Sequence, residues 1–185
     1  MDATTILLAR HGETDWNAER RVQGKTDRPL NDTGRAQARA LERELAGVRL
    51  VAVYSSDLSR ALETARIVAG AHGLPVTPVP ELRERDFGTW EGLTDAEILE
   101  RFPEARTGPW GDAETRDELA ARVLATLRRI SESHAGEMVL VVTHGGPLRT
   151  MLALLSGDGS GPIANCHVLE LAFRDGSFAR VDRAT

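Results

Sequence analysis

The chain has 185 residues, 41% of them hydrophobic, which suits one compact domain with a sizeable core, since single domains run to roughly 100–200 residues. Lys plus Arg number 23 against 28 for Asp plus Glu, and the net charge of -5 is the wrong sign for gripping a nucleic-acid backbone or an anionic membrane surface. The lone Cys166 excludes an internal disulfide and a thiolate metal site. The opening MDATTILLARHG is too acidic and its apolar run too short for a secretory leader, and no stretch nears the roughly 18 apolar residues of a membrane span, so a cytoplasmic protein is expected.

The first apolar run, TILLA at 5–9, lacks alternation and predicts a strand buried on both faces. Asn31 or Asp32 then caps a helix running to about Ala46, with Ala36, Ala40, Leu41 and Leu45 read as its inward face. A second buried strand comes next at 50–54 (LVAVY) and a second helix at 61–71. From Leu74 to Trp110 the pattern is irregular and punctuated by Pro75, Pro78, Pro80, Pro103 and Pro109, so a functional loop or small cap is expected around 74–113. Leu119, Val123, Leu127 and Ile130 place a long helix over 114–133, MVLVVT at 138–143 is a third buried strand, and a helix covers 147–155. The tail, 166–173 and 177–181 joined across Asp175-Gly176, predicts an antiparallel hairpin. The whole predicts one α/β domain over 1–185: a three-layer sandwich whose central, mostly parallel sheet is flanked by helices and has an antiparallel edge near the C-terminus.

The residues just after each buried strand carry the chemistry: Arg10-His11-Gly12 after the first, Ser55-Ser56-Asp57-Leu58-Ser59-Arg60 after the second, and His144-Gly145-Gly146-Pro147 after the third. Open α/β sheets bind ligands at the carboxyl ends of their strands, so two histidines, two arginines and a helix N-terminus should share one rim. Guanidinium forks match phosphate oxygens in pairs, and the rim therefore reads as an anion site.

The same segments carry a resemblance. RHGETDWN at 10–17, VQGKTDRPLNDTGRAQA at 22–38, SSDLSRALETA at 55–65, LRERDFGTWEG at 82–92 and VTHGG at 142–146 resemble the histidine phosphatase superfamily, the group that contains cofactor-dependent phosphoglycerate mutases. The resemblance implies a small phosphorylated metabolite as partner and His11 as the nucleophile. It further implies Arg10, Arg60 and His144 as the phosphate pocket, Glu84 as general acid and base, and Asn17, Gln23, Gly24 and Gly145 as further lining. His11 would attack as the neutral imidazole, while His144 would be protonated beside a bound dianion.

No metal and no cofactor is expected, because the arginines beside the His11-x-Glu13 pair would repel a cation and no third ligand is suitably spaced. His72 and His134 read as helix C-terminal dipole partners, and Trp16 and Trp90 as the aromatics nearest the pocket. Only 60 positions separate Glu84 from His144, with Arg101, Arg106 and Arg116 scattered among acids. Mutases of the resembled group carry a longer, basic insertion there, so a phosphate-monoester hydrolase is expected ahead of a mutase or a catalytically inactive phosphate-binding or scaffold protein.

Overall fold

The computed structural model describes residues 2–106, 113–159 and 161–181. Six strands form one sheet: β1 (Thr4–Arg10), β2 (Ala52–Ser55), β3 (Val76–Pro78), β4 (Met138–Thr143), β5 (Val168–Arg174) and β6 (Ser177–Arg180), in the order β3-β2-β4-β1-β5-β6. The first four run parallel, whereas β5 pairs antiparallel with β1 and β6 with β5. This is the mixed, mostly parallel sheet that the alternating pattern implied. In chain order the α-helices are α1 (Asp15–Ala18), α2 (Asp32–Leu45), α3 (Ser59–His72), α4 (Asp95–Arg101), α5 (Arg116–Glu132) and α6 (Gly145–Ser156).

Residues of β1 alternate between two cores. Ile6 and Leu8 pack with Val139 and Val141 against α5 and α6, while Leu7 and Ala9 pack with Leu140 and Val142 against α2 and α3. Each such fully buried Leu or Ile contributes about 1.5–3 kcal/mol. With neither face wetted, β1 and β4 have no polar alternation to show, which is why they read as continuous apolar runs.

The inward face of α2 differs from the expected one. Ala36 and Ala40 lie outside the buried set, which is Gly34, Ala38, Leu41 and Leu45. Gly34 is there for contact: a Cβ at this position would overlap the Glu13 carbonyl, and one at Gly12 would lie 2.5 Å from the Gly34 carbonyl. Asn31 supplies the expected cap, accepting from the Gly34 N–H at 2.8 Å.

Strand β2 begins two residues later than the LVAVY run. Cys166, expected in a strand, instead occupies a left-handed turn (φ 57°) from which its N–H donates to the Arg10 and His11 carbonyls at 3.1 and 3.3 Å. Within the irregular stretch lie β3, α4 and 3-10 turns at Pro80–Leu82, Gly88–Trp90 and Pro103–Arg106, none of them foreseen. Thr94 and Glu97 form a reciprocal capping box that starts α4. Trp110, and with it part of the expected cap, lies outside the described residues. No helix among the described residues is long and apolar enough to cross a membrane.

Candidate active site

Strand register brings the two histidines together. Arg10 lies opposite Thr143 in the parallel β1–β4 ladder, so the next residues, His11 and His144, leave the sheet side by side, and the His11 N–H donates to the Thr143 carbonyl at 2.9 Å. Their rings meet edge to face with centroids 5.1 Å apart, and both side chains are buried. On the neighbouring strand, Ser55 pairs with Val142, which sets Ser56 one step back; its Oγ lies 2.8 Å from His144 Nε2.

The partner of His11 fixes its tautomer. Nδ1 lies 2.6 Å from the Gly12 carbonyl, which can only accept, so Nδ1 carries the hydrogen and Nε2 keeps its lone pair. Burial pushes the His11 pKa well below its ordinary 6.5, and the Arg60 and Arg10 charges push it the same way. The imidazole is therefore neutral at about pH 7. The Gly12 loop is itself pinned: the Gly12 N–H donates to Thr64 Oγ1 at 3.1 Å, Glu13 N–H to Gln37 Oε1 at 2.9 Å, and Asn165 Nδ2 to the His11 carbonyl at 3.0 Å.

Arg60, in the first turn of α3, is wholly buried. Its Nη1 and Nη2 donate to the carbonyls of Thr26 and Gly24 at 2.9 and 2.7 Å, and burial brings its pKa down to about 10. Arg10 donates through Nη1 to the Ile163 carbonyl, and burial lowers its pKa too. Within this group three nitrogens are buried and without a hydrogen-bond partner: Arg10 Nε, Arg60 Nε and His144 Nδ1. Unpaired buried donors are costly, on the order of 1–3 kcal/mol each, and their concentration beside His11 marks a place prepared for an acceptor-rich anion.

Glu84 arrives from the strap after the 3-10 turn. Its carboxyl oxygens accept from the Gly146 N–H at 3.0 and 3.1 Å and from the Arg85 N–H at 2.8 Å, at the N-terminal end of α6. Gly145 is the first residue of that helix, and His144 its N-cap. Of the residues expected to line the pocket further, Gly24 binds Arg60 through its carbonyl, and Gln23 Oε1 accepts from Thr14 Oγ1 at 2.9 Å. Asn17 Oδ1 accepts from the Thr14 N–H at 3.2 Å and from Asn165 Nδ2 at 3.3 Å, which directs its amide hydrogens elsewhere.

Trp16, next to Asn17 on α1, lies under the Arg28 guanidinium, whereas Trp90 is buried against Phe102. His72 ends α3 before the left-handed Gly73, as expected. His134 follows the Ser133 C-cap of α5, also as expected, and its ring bridges Tyr54 Oη at 2.9 Å and Glu137 at 3.2 Å, beside Thr4 at the opposite end of β1 from the rim. Among the described residues, no three His, Cys, Asp or Glu side chains gather as a metal ligand set.

Two acids and one base escaped the sequence reading. Glu91 receives the N–H groups of Lys25 (2.9 Å), Thr26 (2.8 Å) and Phe87 (3.1 Å), tying the Gly24 loop to the segment after Glu84. Glu114 and Arg122 form a largely buried pair under the Glu84 strap, at 2.5 and 2.8 Å. Thr115-x-x-Glu118, a capping box at the start of α5, was the only local signal near them.

Residues 6–183 match the family model described as histidine phosphatase superfamily, branch 1. The chain is 41% identical to the metal-independent phosphoserine phosphatase of Arabidopsis thaliana over 186 residues, covering 94% of this chain and 78% of that protein. It is 44% identical to phosphoglycerate mutase-like protein 4 of the same plant over 163 residues, with 82% and 70% covered. The solved structure of Bacillus stearothermophilus YhfR superposes with a TM-score of 0.89 at 36% identity, over 98% of this chain and 96% of that one.

Proposed function

The chain belongs to the histidine phosphatase superfamily, and from that premise we propose that it hydrolyses small-molecule phosphate monoesters through a phosphohistidine on His11. The observation that carries this reading is the set of three buried, partnerless nitrogens, Arg10 Nε, Arg60 Nε and His144 Nδ1, beside an imidazole whose Nε2 keeps its lone pair. Arg10, Arg60 and His144 hold the phosphoryl oxygens, and the Nε2 lone pair forms the P–N bond as the P–O ester bond breaks. The departing oxygen keeps the electron pair of the broken P–O bond and takes the proton of the Glu84 carboxylic acid, which is left as the carboxylate. The Glu84 carboxylate then removes a proton from water, whose oxygen displaces His11 at phosphorus and returns the lone pair to Nε2. Positioning and preformed positive charge supply most of the acceleration, as in other phosphoryl transfers.

His144 has a second task. In the free site burial holds it neutral, with Arg60, His11 and Arg10 pushing the same way. A dianion reverses that balance: protonated His144 donates from Nε2 to Ser56 and presents Nδ1–H to the ligand. Binding of tungstate, dianionic throughout the neutral range, should therefore be accompanied by proton uptake, and affinity should rise as pH falls. Calorimetry in buffers of different ionisation enthalpy reads the proton count. Uptake should shrink in His144→Asn, and binding without uptake would remove His144 from the pocket. In the free protein both lowered imidazoles make the unfolded chain protonate first, so stability should fall as pH drops below the ordinary 6.5.

Hydrolysis is favoured over mutase chemistry because the segment between Glu84 and His144 is short and two of its cations, Arg85 and Arg122, are committed to the protein itself. The guanidinium of Arg122 is consumed by backbone and Glu114 contacts, and Arg85 Nε by the Glu114 carbonyl at 2.6 Å. The relative named a metal-independent phosphoserine phosphatase supports the same choice and makes phosphorylated acids the first substrates to try. The relative named mutase-like keeps a mutase as the second reading. A screen of phosphorylated metabolites with chelator present, scored for free phosphate and for isomerised product, decides between them. Phosphate release that survives chelation is expected; isomer without phosphate would reverse the choice, and loss of all activity on chelation would refute the metal-free mechanism.

A further inference from the structure

We infer that Arg122 and Glu114 together position the general acid of this enzyme. Arg122 lies on α5, and each of its N–H groups has a partner. Two go to the Glu114 carboxylate, from Nε at 2.5 Å and from Nη2 at 2.8 Å. The others hold the strap that ends in Glu84: Nη1 donates to the carbonyls of Glu81 and Arg83, both at 2.8 Å, and Nη2 to the carbonyl of Glu84 itself at 3.0 Å. Glu114 closes the far side, its Oε2 accepting from the Asp86 N–H at 3.2 Å while its own N–H donates to the Asp86 carbonyl at 3.0 Å.

Glu84 is thus held at two points. Its backbone carbonyl is fixed by α5 and its carboxylate by the Gly146 N–H of α6. A carboxylate on an untethered loop would sweep well beyond hydrogen-bond tolerance, and misplacement by about one ångström can cost on the order of 100-fold in a positioned reaction. A planar guanidinium is suited to this clamp because its donors point in fixed directions; an ammonium at the same place keeps the charge and loses the fork.

This inference rests on Glu84 acting as the acid, and the experiment separates the two claims. Single-turnover formation of the phosphoenzyme is followed with p-nitrophenyl phosphate, whose phenolate leaves with little protonation, and with an alkyl monoester, phosphoserine, whose alkoxide needs a proton. Arg122→Lys should slow the alkyl ester by about 10-fold or more while changing the aryl ester by less than about 3-fold, part of the roughly 100- to 10,000-fold that general acids supply. Glu114→Gln should show the same selectivity in weaker form and serves if Arg122→Lys does not fold. Glu84→Gln should show it most strongly. If Glu84→Gln slows both esters alike, Glu84 is not the acid. If Glu84→Gln discriminates while the clamp variants slow both esters equally or neither, Arg122 and Glu114 merely stabilise the fold and the inference is overturned.

Discussion

Replacing His11 with alanine should abolish phosphoenzyme formation and lower turnover by about 10,000-fold or more, the scale on which loss of a nucleophile is felt in enzymes that use one. The residue is 2% exposed, and its ring bonds to the carbonyl of the adjacent Gly12. Truncation therefore removes the attacking atom without unravelling a network. The loop stays pinned through backbone groups: His11 N–H to Thr143, Gly12 N–H to Thr64 and the His11 carbonyl to Asn165. Tungstate should accordingly still bind His11→Ala, since Arg10, Arg60 and His144 remain. The measurement is base-stable, acid-labile phosphate on the quenched protein, with tungstate calorimetry beside it. Labelling that persists in the variant would place the nucleophile elsewhere.

Gly146→Ala should have the second largest effect, and through a single contact. A Cβ at Gly146 would overlap Glu84 Oε1, and the next nearest side-chain atom outside Glu84 is Leu119 Cδ2 at 3.4 Å. The atom that must yield ends a flexible acidic side chain and is not backbone, while alanine suits the first turn of a helix at least as well as glycine. The fold should therefore survive with Glu84 swung away from its N–H anchor. Turnover of an alkyl phosphate should fall by roughly 100- to 10,000-fold, the share that general acid–base help supplies. Melting temperature should change little, and wild-type turnover in a normally folded Gly146→Ala would detach Glu84 from the reaction.

The sheet was legible because its central strands are buried on both faces and carry few polar residues to blur the run. The face of α2 was not, because alanine is indifferent to burial: Ala36 and Ala40 fit a helical period as well as Ala38, and Gly34 is selected by the approach of the Gly12–Glu13 loop, which no periodicity reports. Short elements such as β3 and α4 lacked a sustained apolar signal, although Thr94-x-x-Glu97 announced a helix start. At the site, strand-end topology located the arginines and histidines, while Glu84 rested on resemblance alone, since its anchor is a backbone N–H 62 residues downstream. Arg122 was invisible for the same reason. A charged residue between Ala121 and Val123 reads as a solvated helix face until its carbonyl partners, 38 to 41 residues upstream, are in place.

The pairing of β1 with β4 and β5 also orders events on the ribosome. The strand bearing Arg10 emerges before the other strands of the sheet, yet both strands it pairs with lie beyond residue 137. At roughly 5–20 residues per second, the TILLA segment waits for about 7–27 s of synthesis before a lateral partner exists. During that interval it is an unsatisfied, adhesive edge. The nascent chain should therefore depend on early burial of this segment by α2 and α3, or on a holding chaperone, more than a protein whose first strand pairs with its second.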